Sequence, residues 1–197
     1  MTIKEFGEEF ESKKKIPEKM IVLRHDIDFD LGLSIRMASI ENKHGIRSTY
    51  FVRLHAKYYS PFSADNYAIL MKLIDFGHEI GLHFDFGFAK LFSEDPKKRL
   101  LKDKNIFENL IGAKVDSVSM HEPARTGTNL DGMNLEKIGI KHNAYSDIFL
   151  KNLKYISDSS ARWREGCMCE FIKRDTSHIY ILTHPFWWYN KTPLENY

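Results

Sequence analysis

Long apolar runs are missing from this chain of 197 residues, and so is a surplus of either charge. No hydrophobic run reaches the roughly 18–20 residues that a membrane span requires, so we expect no transmembrane helix. The balance of 29 Lys and Arg against 27 Asp and Glu leaves a net charge of only +2. This gives no broad basic surface and predicts no nucleic-acid partner. The charged first 20 residues lack the apolar segment of a secretory signal, which predicts a cytoplasmic location.

Cysteines and interdomain linkers are equally scarce. Cys167 and Cys169 supply no disulfide framework. Their spacing of two predicts a pair of buried thiols on one face of a strand rather than a metal clip. No repeat, low-complexity tract or Pro/Gly/Ser-rich linker divides the chain. With 43% hydrophobic residues, a chain of this length builds one domain with a full core.

Strand-like and helix-like segments alternate along the chain. Buried or β-branched runs predict strands at 20–25, 46–54, 78–86, 115–120, 140–146, 153–158 and 178–184. Helical spacing, caps and terminal glycines predict helices at 4–14, 31–44, 65–76, 95–111 and 130–138. The alternation predicts an α/β fold with mostly parallel strands. A closed barrel fits the count of about seven units, and an open doubly wound sheet is the alternative.

Polar side chains gather at the ends of five of these strands. They are His25, Asp26 and Asp28; His83 and Asp85; His121; Asp158; and His184. Because the carboxyl ends of parallel strands meet at one edge of a sheet, we expect these groups to form one site. Imidazole and carboxylate are the usual ligands of a catalytic divalent ion. A cation would also offset the repulsion between Asp26 and Asp28, whereas Asp30 is expected to cap the helix at 31–44. Zinc fits mixed His and Asp ligands best, with iron, cobalt, manganese and nickel as alternatives.

Five motifs occur in an order that resembles a known family. They are "RHDID" (24–28), "GHEIGLH" (77–83), "HEPAR" (121–125), "YISDSSARW" (155–163) and "ILTH" (181–184). The sequence resembles a divergent member of the polysaccharide deacetylase superfamily, carbohydrate esterase family 4, the nodulation-factor deacetylase homology domain. The resemblance implies a distorted (β/α)7 barrel domain over 20–197, preceded by an N-terminal helical extension over 1–19. It further implies a metal-dependent hydrolase that removes an N- or O-acetyl group from a sugar or glycan precursor.

The resemblance also implies roles for particular residues. Asp26 matches the general base and His184 the general acid, while Asp28 and His83 match metal ligands. The family's second metal histidine falls at Gly87. In its place we expect Asp85, which lies on the same strand face as His83, with His121 as the alternative.

Four further residues are expected to support the site or its substrate. His121 stands where the family's Arg-x-Pro motif has its arginine, and Asp158 loosely matches the Asp-x-x-Asp-Trp segment. Arg164 lies near that segment, where an acid would be expected. Trp187, next to Trp188, offers an aromatic face on which a sugar stacks, although core packing at the barrel end is an equal alternative. The expected partner is a carbohydrate or a sugar nucleotide, and the sequence predicts no oligomeric state.

Three other functions compete with this one. Gly87 at the ligand position favours a carbohydrate-binding protein that keeps the barrel without catalysis. The absence of a secretory signal favours a small nucleotide-linked sugar as the substrate of an amidohydrolase or deformylase. A phosphoesterase is disfavoured, because no glycine-rich phosphate loop or arginine pair stands out.

Overall fold

The computed structural model describes residues 1–12, 17–126, 130, 132–174 and 176–188. Its strands are β1 (Met20–Ile27), β2 (Thr49–Val52), β3 (Glu79–Phe84), β4 (Ser117–Met120), β5 (His142–Asn143), β6 (Lys154–Ser157) and β7 (His178–Thr183). Its helices are α1 (Ile3–Glu11), α2 (Ser34–Lys43), α3 (Ala64–Asp75), α4 (Phe86–Leu91), α5 (Pro96–Ile111), α6 (Pro123–Thr126), α7 (Leu135–Ile138), α8 (Asp147–Leu150) and α9 (Met168–Lys173). In these described ranges no helix has both the length and the apolar character needed to cross a bilayer.

One sheet of seven parallel strands runs in the order β5-β4-β3-β2-β1-β7-β6 among the described residues. It curls into a half-barrel with flanking helices, which confirms the predicted distorted (β/α)7 barrel and excludes the doubly wound alternative. Because every strand pair is parallel, the carboxyl ends of all the strands lie along the same rim.

The residues of β1 alternate between the inside and the outside of the barrel. Val22 packs inside with Phe51 and Tyr180. Outside, Ile27 packs in the larger cluster between the sheet and its helices, which includes Leu70 of α3 and Phe107 of α5. Asp26 shares the inner face with Val22, so the alternation aims it into the barrel.

The helix α1 packs against the barrel through Ile3 and Phe6, both fully buried in the inner cluster. Thr2 and Glu5 form a capping box that begins this helix. The backbone N–H of Ile3 donates to Oγ1 of Thr49 on β2 at 2.8 Å. The described part of the predicted N-terminal extension therefore contributes to the core, while residues 13–16 lie outside the described residues.

Local signals predicted α5 well and missed α4 and α9. Asp95 caps α5, Pro96 begins it, and Gly112 ends it with a left-handed φ of 66°. The short helices carry weaker signals, and this explains an error at the cysteines. Cys167 immediately precedes α9 and Cys169 lies within it, and both thiols are exposed. The prediction of buried thiols on a strand is therefore wrong, because a spacing of two has no shared face in a helix.

The predicted capping role of Asp30 is also wrong. Leu33 occupies the N-cap of α2 without a side-chain hydrogen bond. Oδ1 of Asp30 accepts instead from the backbone N–H of Gly32 at 2.7 Å. The carboxylate therefore stabilises the turn before the helix, because the backbone N–H two residues later points back at it.

Candidate active site

Four strands bring Asp28 together with three histidines at the carboxyl rim of the barrel. Oδ1 of Asp28 lies 3.2 Å from Nε2 of His83 at the end of β3. The same oxygen lies 3.5 Å from Nε2 of His121, which follows β4. Oδ2 of Asp28 lies 3.8 Å from Nε2 of His184, which follows β7. Three imidazoles from separate strands thus surround one carboxylate, as the strand-end pattern predicts.

Asp28 is largely buried, and its Oδ1 has no hydrogen-bond partner among the described residues. Burial raises the pKa of Asp28, but its interactions with the imidazoles of His83, His184 and His121 lower it more. The net result is a pKa well below the usual range of an aspartate. Asp28 is therefore an ionised carboxylate that faces a ring of imidazoles.

The tautomer of His83 follows from its backbone contact. Nδ1 of His83 lies 3.1 Å from the carbonyl oxygen of Ser119. Because a carbonyl only accepts, Nδ1 carries the ring proton. Nε2 of the neutral ring then points a lone pair toward Oδ1 of Asp28, so either a second proton or a cation is needed between these two atoms.

Asp26 lies beside this group on the inner face of β1, with only 2% of its surface exposed. Its Oδ2 accepts from Oγ of Ser119 at 3.2 Å and lies 3.7 Å from Nε2 of His83. Nη2 of the fully buried Arg24 is 3.7 Å from the same oxygen, and Nη1 donates to Oγ of Ser119 at 3.3 Å. Within the described part of the chain, Oδ1 of Asp26 has no hydrogen-bond partner. Arg24 and Ser119 therefore hold one oxygen in place and leave the other available.

His184 is held by Asp158, which follows β6. Nδ1 of His184 donates to Oδ1 of Asp158 at 2.6 Å, and the backbone N–H of His184 contacts both oxygens at 3.1 Å. Nε1 of Trp188 donates to Oδ2 of Asp158 at 2.8 Å. Burial lowers the pKa of His184, but the hydrogen bond to Asp158 and the charges of Asp26 and Asp28 outweigh it, and the net pKa is raised. The dyad therefore favours a protonated imidazole whose Nε2 faces Asp28.

Asp85 lies at the same rim, but its two oxygens are occupied. Oδ2 of Asp85 accepts from Nη2 of Arg53 at 2.5 Å, and Oδ1 accepts from the backbone N–H of Phe88 at 3.1 Å, which caps α4. Burial raises the pKa of Asp85, and the bonds to Arg53 and Phe88 lower it more. Nδ1 of His121 stands 3.9 Å from Oδ2 of Asp85. Asp85 thus makes an ion pair and a helix cap beside the site.

His121 is mostly enclosed between these groups, and its ring stands nearly perpendicular to that of His83, with centroids 5.3 Å apart. Burial lowers the pKa of His121 to about 4, with help from the charges of His83 and Arg53, while Asp28 and Glu122 oppose the shift. The imidazole of His121 is therefore neutral at neutral pH, which is the form that binds metals.

The remaining predicted residues lie farther from the rim carboxylates. Arg164 is exposed in the turn before α9, and among the described residues Arg24, not Arg164, approaches Asp26. Trp187 is half-buried and packs edge-on against Phe186, with ring centroids 5.0 Å apart. Phe29, one residue after Asp28, packs against Phe186 and Tyr58, with ring centroids 4.6 Å and 5.6 Å apart. Aromatic side chains therefore form a wall beside Asp28, and Trp187 joins that wall at one end.

Two residues of the site were not predicted from the motifs. Ser119 links Arg24 to Asp26, and its signal is the alternation of serines in "SVSM" (117–120), which marks a polar inner face on a buried strand. Arg53 follows β2, so the strand-end argument would have found it if basic residues had been counted with Asp and His.

The donor set fits a divalent cation only in part. Across the described ranges, no three His, Cys, Asp or Glu side chains stand in a ready-made metal-binding arrangement. The chemistry of the set nevertheless suits an ion, because Oδ1 of Asp28 is buried without a hydrogen-bond partner in the described ranges and faces Nε2 of His83, whose Nδ1 is bonded to a carbonyl. Nitrogen and oxygen donors of this kind are typical of zinc.

Neither family models nor curated proteins match this sequence, but solved structures resemble its fold. A carbohydrate esterase family 4 (CE4) pseudoenzyme from Bacillus anthracis is 13% identical, with a TM-score of 0.56 over 87% of this chain and 57% of that chain. The peptidoglycan deacetylase PdaC from Bacillus subtilis is 16% identical, with a TM-score of 0.56 over 85% of this chain and 75% of that chain. A family 4 carbohydrate esterase from Streptomyces lividans, in complex with acetate, is 12% identical, with a TM-score of 0.54 over 86% and 81%.

This chain spans less than three fifths of the pseudoenzyme chains that it matches, covering 57–58% of their length. A mutant of that pseudoenzyme is described as having restored enzymatic activity. At these identities the likeness concerns the fold. The chain therefore has the fold of the family 4 carbohydrate esterases, which confirms the family resemblance at the level of its architecture.

Proposed function

We propose that this protein is a metal-dependent hydrolase that removes an N- or O-acetyl group from a sugar or glycan precursor. The observation that carries this proposal is the pair of proton-transfer groups beside Asp28. Asp26 has one carboxylate oxygen without a partner, and His184 is a histidine with a raised pKa. Such a pair, one group ready to accept a proton and the other to donate one, is what acyl transfer to water requires.

Asp28 and His83 would hold a divalent cation, and zinc is the ion that their donor atoms favour. When bound, the ion polarises the acyl carbonyl and lowers the pKa of a water molecule. The chain contributes the orientation of these ligands, because the carbonyl of Ser119 fixes the His83 tautomer with Nε2 toward Asp28.

Asp26 is the proposed general base. Its Oδ1 is unpartnered and available to a water molecule, while Oδ2 is fixed by Ser119. The guanidinium of Arg24, 3.7 Å away and fully buried, stabilises the negative charge of Asp26 before it takes up the proton.

His184 is the proposed general acid. Asp158 accepts the Nδ1 proton of His184, so the second proton sits on Nε2, which faces Asp28. Transfer of that proton to the departing nitrogen or oxygen prevents expulsion of a strongly basic leaving group. The Asp158 carboxylate then stabilises the ring orientation for the next cycle, with Trp188 holding its second oxygen.

The aromatic wall supports a carbohydrate substrate. Tyr58 is exposed and contacts Phe29 next to Asp28, which suits stacking of a sugar ring. Both a glycan and a nucleotide-linked sugar present such a ring. An amidohydrolase or deformylase that acts on a nucleotide-linked sugar would therefore use the same aromatic wall. The cytoplasmic location stays a prediction.

A carbohydrate-binding protein without catalysis is the second candidate. It is supported by the likeness to a CE4 pseudoenzyme and by the lack of a ready three-donor arrangement in the described ranges. The two candidates differ in turnover, not in sugar binding.

The test measures acetate release from acetylated chitooligosaccharides, peptidoglycan fragments and acetylated amino-sugar nucleotides. The purified protein is assayed with zinc, cobalt, manganese or nickel, and with chelator as the control. Release that needs a metal and disappears in Asp26→Asn supports the hydrolase. Sugar binding by calorimetry without release from any of these substrates would instead support the binding protein.

A further inference from the structure

The position that the family motif assigns to a second metal histidine carries no side chain here. Gly87 lies within α4. A Cβ built at this position would stand 3.2 Å from Oδ1 of Asp85, the oxygen that caps α4 through the N–H of Phe88. A side chain at position 87 would therefore crowd the cap, and another part of the chain must supply the third ligand.

Asp85, the residue expected from the sequence to replace it, is committed elsewhere. Its two oxygens bond to Arg53 and to the N–H of Phe88, as described above. Arg53 and Asp85 are both largely buried, with side-chain exposures of 12% and 14%. Turning Asp85 toward an ion would leave the guanidinium of Arg53 without its partner, which is costly for a buried charge.

His121 has the spacing that a shared ion requires. Ligand atoms of a tetrahedral zinc ion lie about 3.3 Å apart, given bonds of about 2.0–2.1 Å. The Asp28 oxygen lies 3.2 Å from Nε2 of His83 and 3.5 Å from Nε2 of His121. These two pairs meet the expected spacing around one oxygen that has no hydrogen-bond partner.

The backbone also fixes His121 beside His83. The N–H of His121 donates to the carbonyl of Phe84 at 2.9 Å, which extends the pairing of β4 with β3 by one residue. Glu122 then takes a positive φ of 47°, so the chain turns away immediately after the histidine. His121 is thus held at the last position from which β4 can reach the rim.

We propose that His121 is the third metal ligand, so that the metal group is Asp28, His83 and His121, with Asp85 and Arg53 as a positioning pair. This inference rests on the proposed function, since it specifies the same metal site. The ligand missing at position 87 has moved from the chain after β3 to the end of the neighbouring strand. His184 remains outside the group, because its Nε2 faces the other oxygen of Asp28 at 3.8 Å.

Metal binding tests the assignment without reliance on activity. Zinc and cobalt affinities are measured by competition with a chromophoric chelator for the wild type, His121→Ala, His121→Gln, Asp85→Asn and His184→Ala. Circular dichroism confirms that each variant is folded. Loss of a ligand is expected to weaken binding at least about 100-fold, and loss of a positioning group about 10-fold or less, toward the lower end of effects around metal sites.

The proposal predicts the larger loss for both His121 variants and the smaller one for Asp85→Asn. X-ray absorption of the wild-type cobalt complex should count two imidazoles, and His121→Gln should reduce the count to one. Unchanged affinity in both His121 variants, or the 100-fold loss in Asp85→Asn or His184→Ala instead, would overturn the ligand assignment alone. A wild-type protein that binds neither ion would overturn the proposed function and this assignment with it.

Discussion

The two faces of β1 both carry buried polar side chains, but they differ in whether the polar atoms have hydrogen-bond partners. On the outer face, His25 has both ring nitrogens bonded, Nδ1 with Thr183 at 2.6 Å and Nε2 with Glu41 at 2.8 Å. On the inner face, Asp26 leaves one carboxylate oxygen unpartnered, and so does Asp28 just beyond the strand. Buried polar atoms are nearly always satisfied, so two unpartnered carboxylate oxygens beside several imidazoles suit a bound water molecule or cation. A structural histidine and a proposed catalytic carboxylate thus occupy consecutive positions of one strand and differ in the face on which they lie.

The outer network is closed around Glu41. Its Oε2 accepts from Ser48 and from the hydroxyl of Tyr50, each at 2.8 Å, and its Oε1 contacts His25. Burial raises the pKa of Glu41, but its contacts with His25, Tyr50 and Ser48 outweigh this effect, and the net pKa is lowered to about 2. These hydrogen bonds join α2, which carries Glu41, to β1 through His25 and to β2 and the residue before it through Tyr50 and Ser48.

Asp26→Asn, on the inner face of β1, should have the largest effect, which is a loss of acetate-releasing activity. The amide cannot accept a proton from water, and loss of such a group typically costs about 10²–10⁴-fold in rate. The thermal midpoint should fall as well, because the amide leaves the fully buried Arg24 without the charge of Asp26, so rates are compared per folded molecule. Initial rates of acetate release and a thermal melt measure the two effects. A variant with more than a tenth of wild-type turnover would refute Asp26 as the base.

Glu41→Gln should destabilise the hydrogen-bond network on the outer face of β1 and leave the site residues on the inner face unaffected. The change of pKa from 4.5 to about 2 corresponds to about 3 kcal/mol of stability carried by the ionised form. Because the folded pKa is depressed, this stability is present above pH 4.5 and is lost as the pH falls toward 2. Urea unfolding should therefore show a difference between wild type and variant that is largest at pH 7 and shrinks below pH 4.5.

The control for Glu41→Gln is metal affinity and the rate per folded molecule. Both should stay within about twofold of wild type, because the carboxylate of Glu41 bonds to His25, Ser48 and Tyr50 and shares no partner with Asp26 or Asp28 among the described residues. A stability difference that stayed constant from pH 7 to pH 3 would contradict the ionised network.

Asp158→Asn should separate proton donation by His184 from base catalysis by Asp26. Without the carboxylate, the raised pKa of His184 should fall, so the protonated acid is lost at lower pH. The alkaline limb of kcat/KM should therefore move to lower pH, and the rate at neutral pH should drop about 10–100-fold, part of the full acid contribution. A pH profile of kcat/KM measures both. An unmoved alkaline limb would show that the limb belongs to another group.

Asp30→Asn should have the smallest effect. Asp30 is exposed and its carboxylate only accepts from the N–H of Gly32, a role that the amide oxygen of asparagine can keep. Stability should change by less than about 0.5 kcal/mol, as for other surface positions, and acetate release should be unchanged. A large loss of activity would show that the third carboxylate of "DIDFD" (26–30) belongs to the site.

Much of the architecture could be predicted from local patterns. The strands β1, β3 and β7 follow from short buried runs, and α5 follows from Asp95, Pro96 and Gly112. The short helices α4 and α9 could not be predicted in the same way, because a turn or two of helix has little periodicity and depends on its contacts. The same limit produced the wrong environment for the two cysteines.

Local patterns were enough to predict the order of the strands and helices and the Asp and His residues at the strand ends, because alternation, caps and turn residues act within a few positions. Only the tertiary structure decided which of those residues meet. Arg53 engages Asp85 across 32 residues, and Trp188 engages Asp158 across 30. The approach of His121 to Asp28 depends on the register of four adjacent strands, as does the contact of Ser119 with Asp26 across 93 residues. Such contacts are set by how the sheet pairs and curls, which no local pattern encodes.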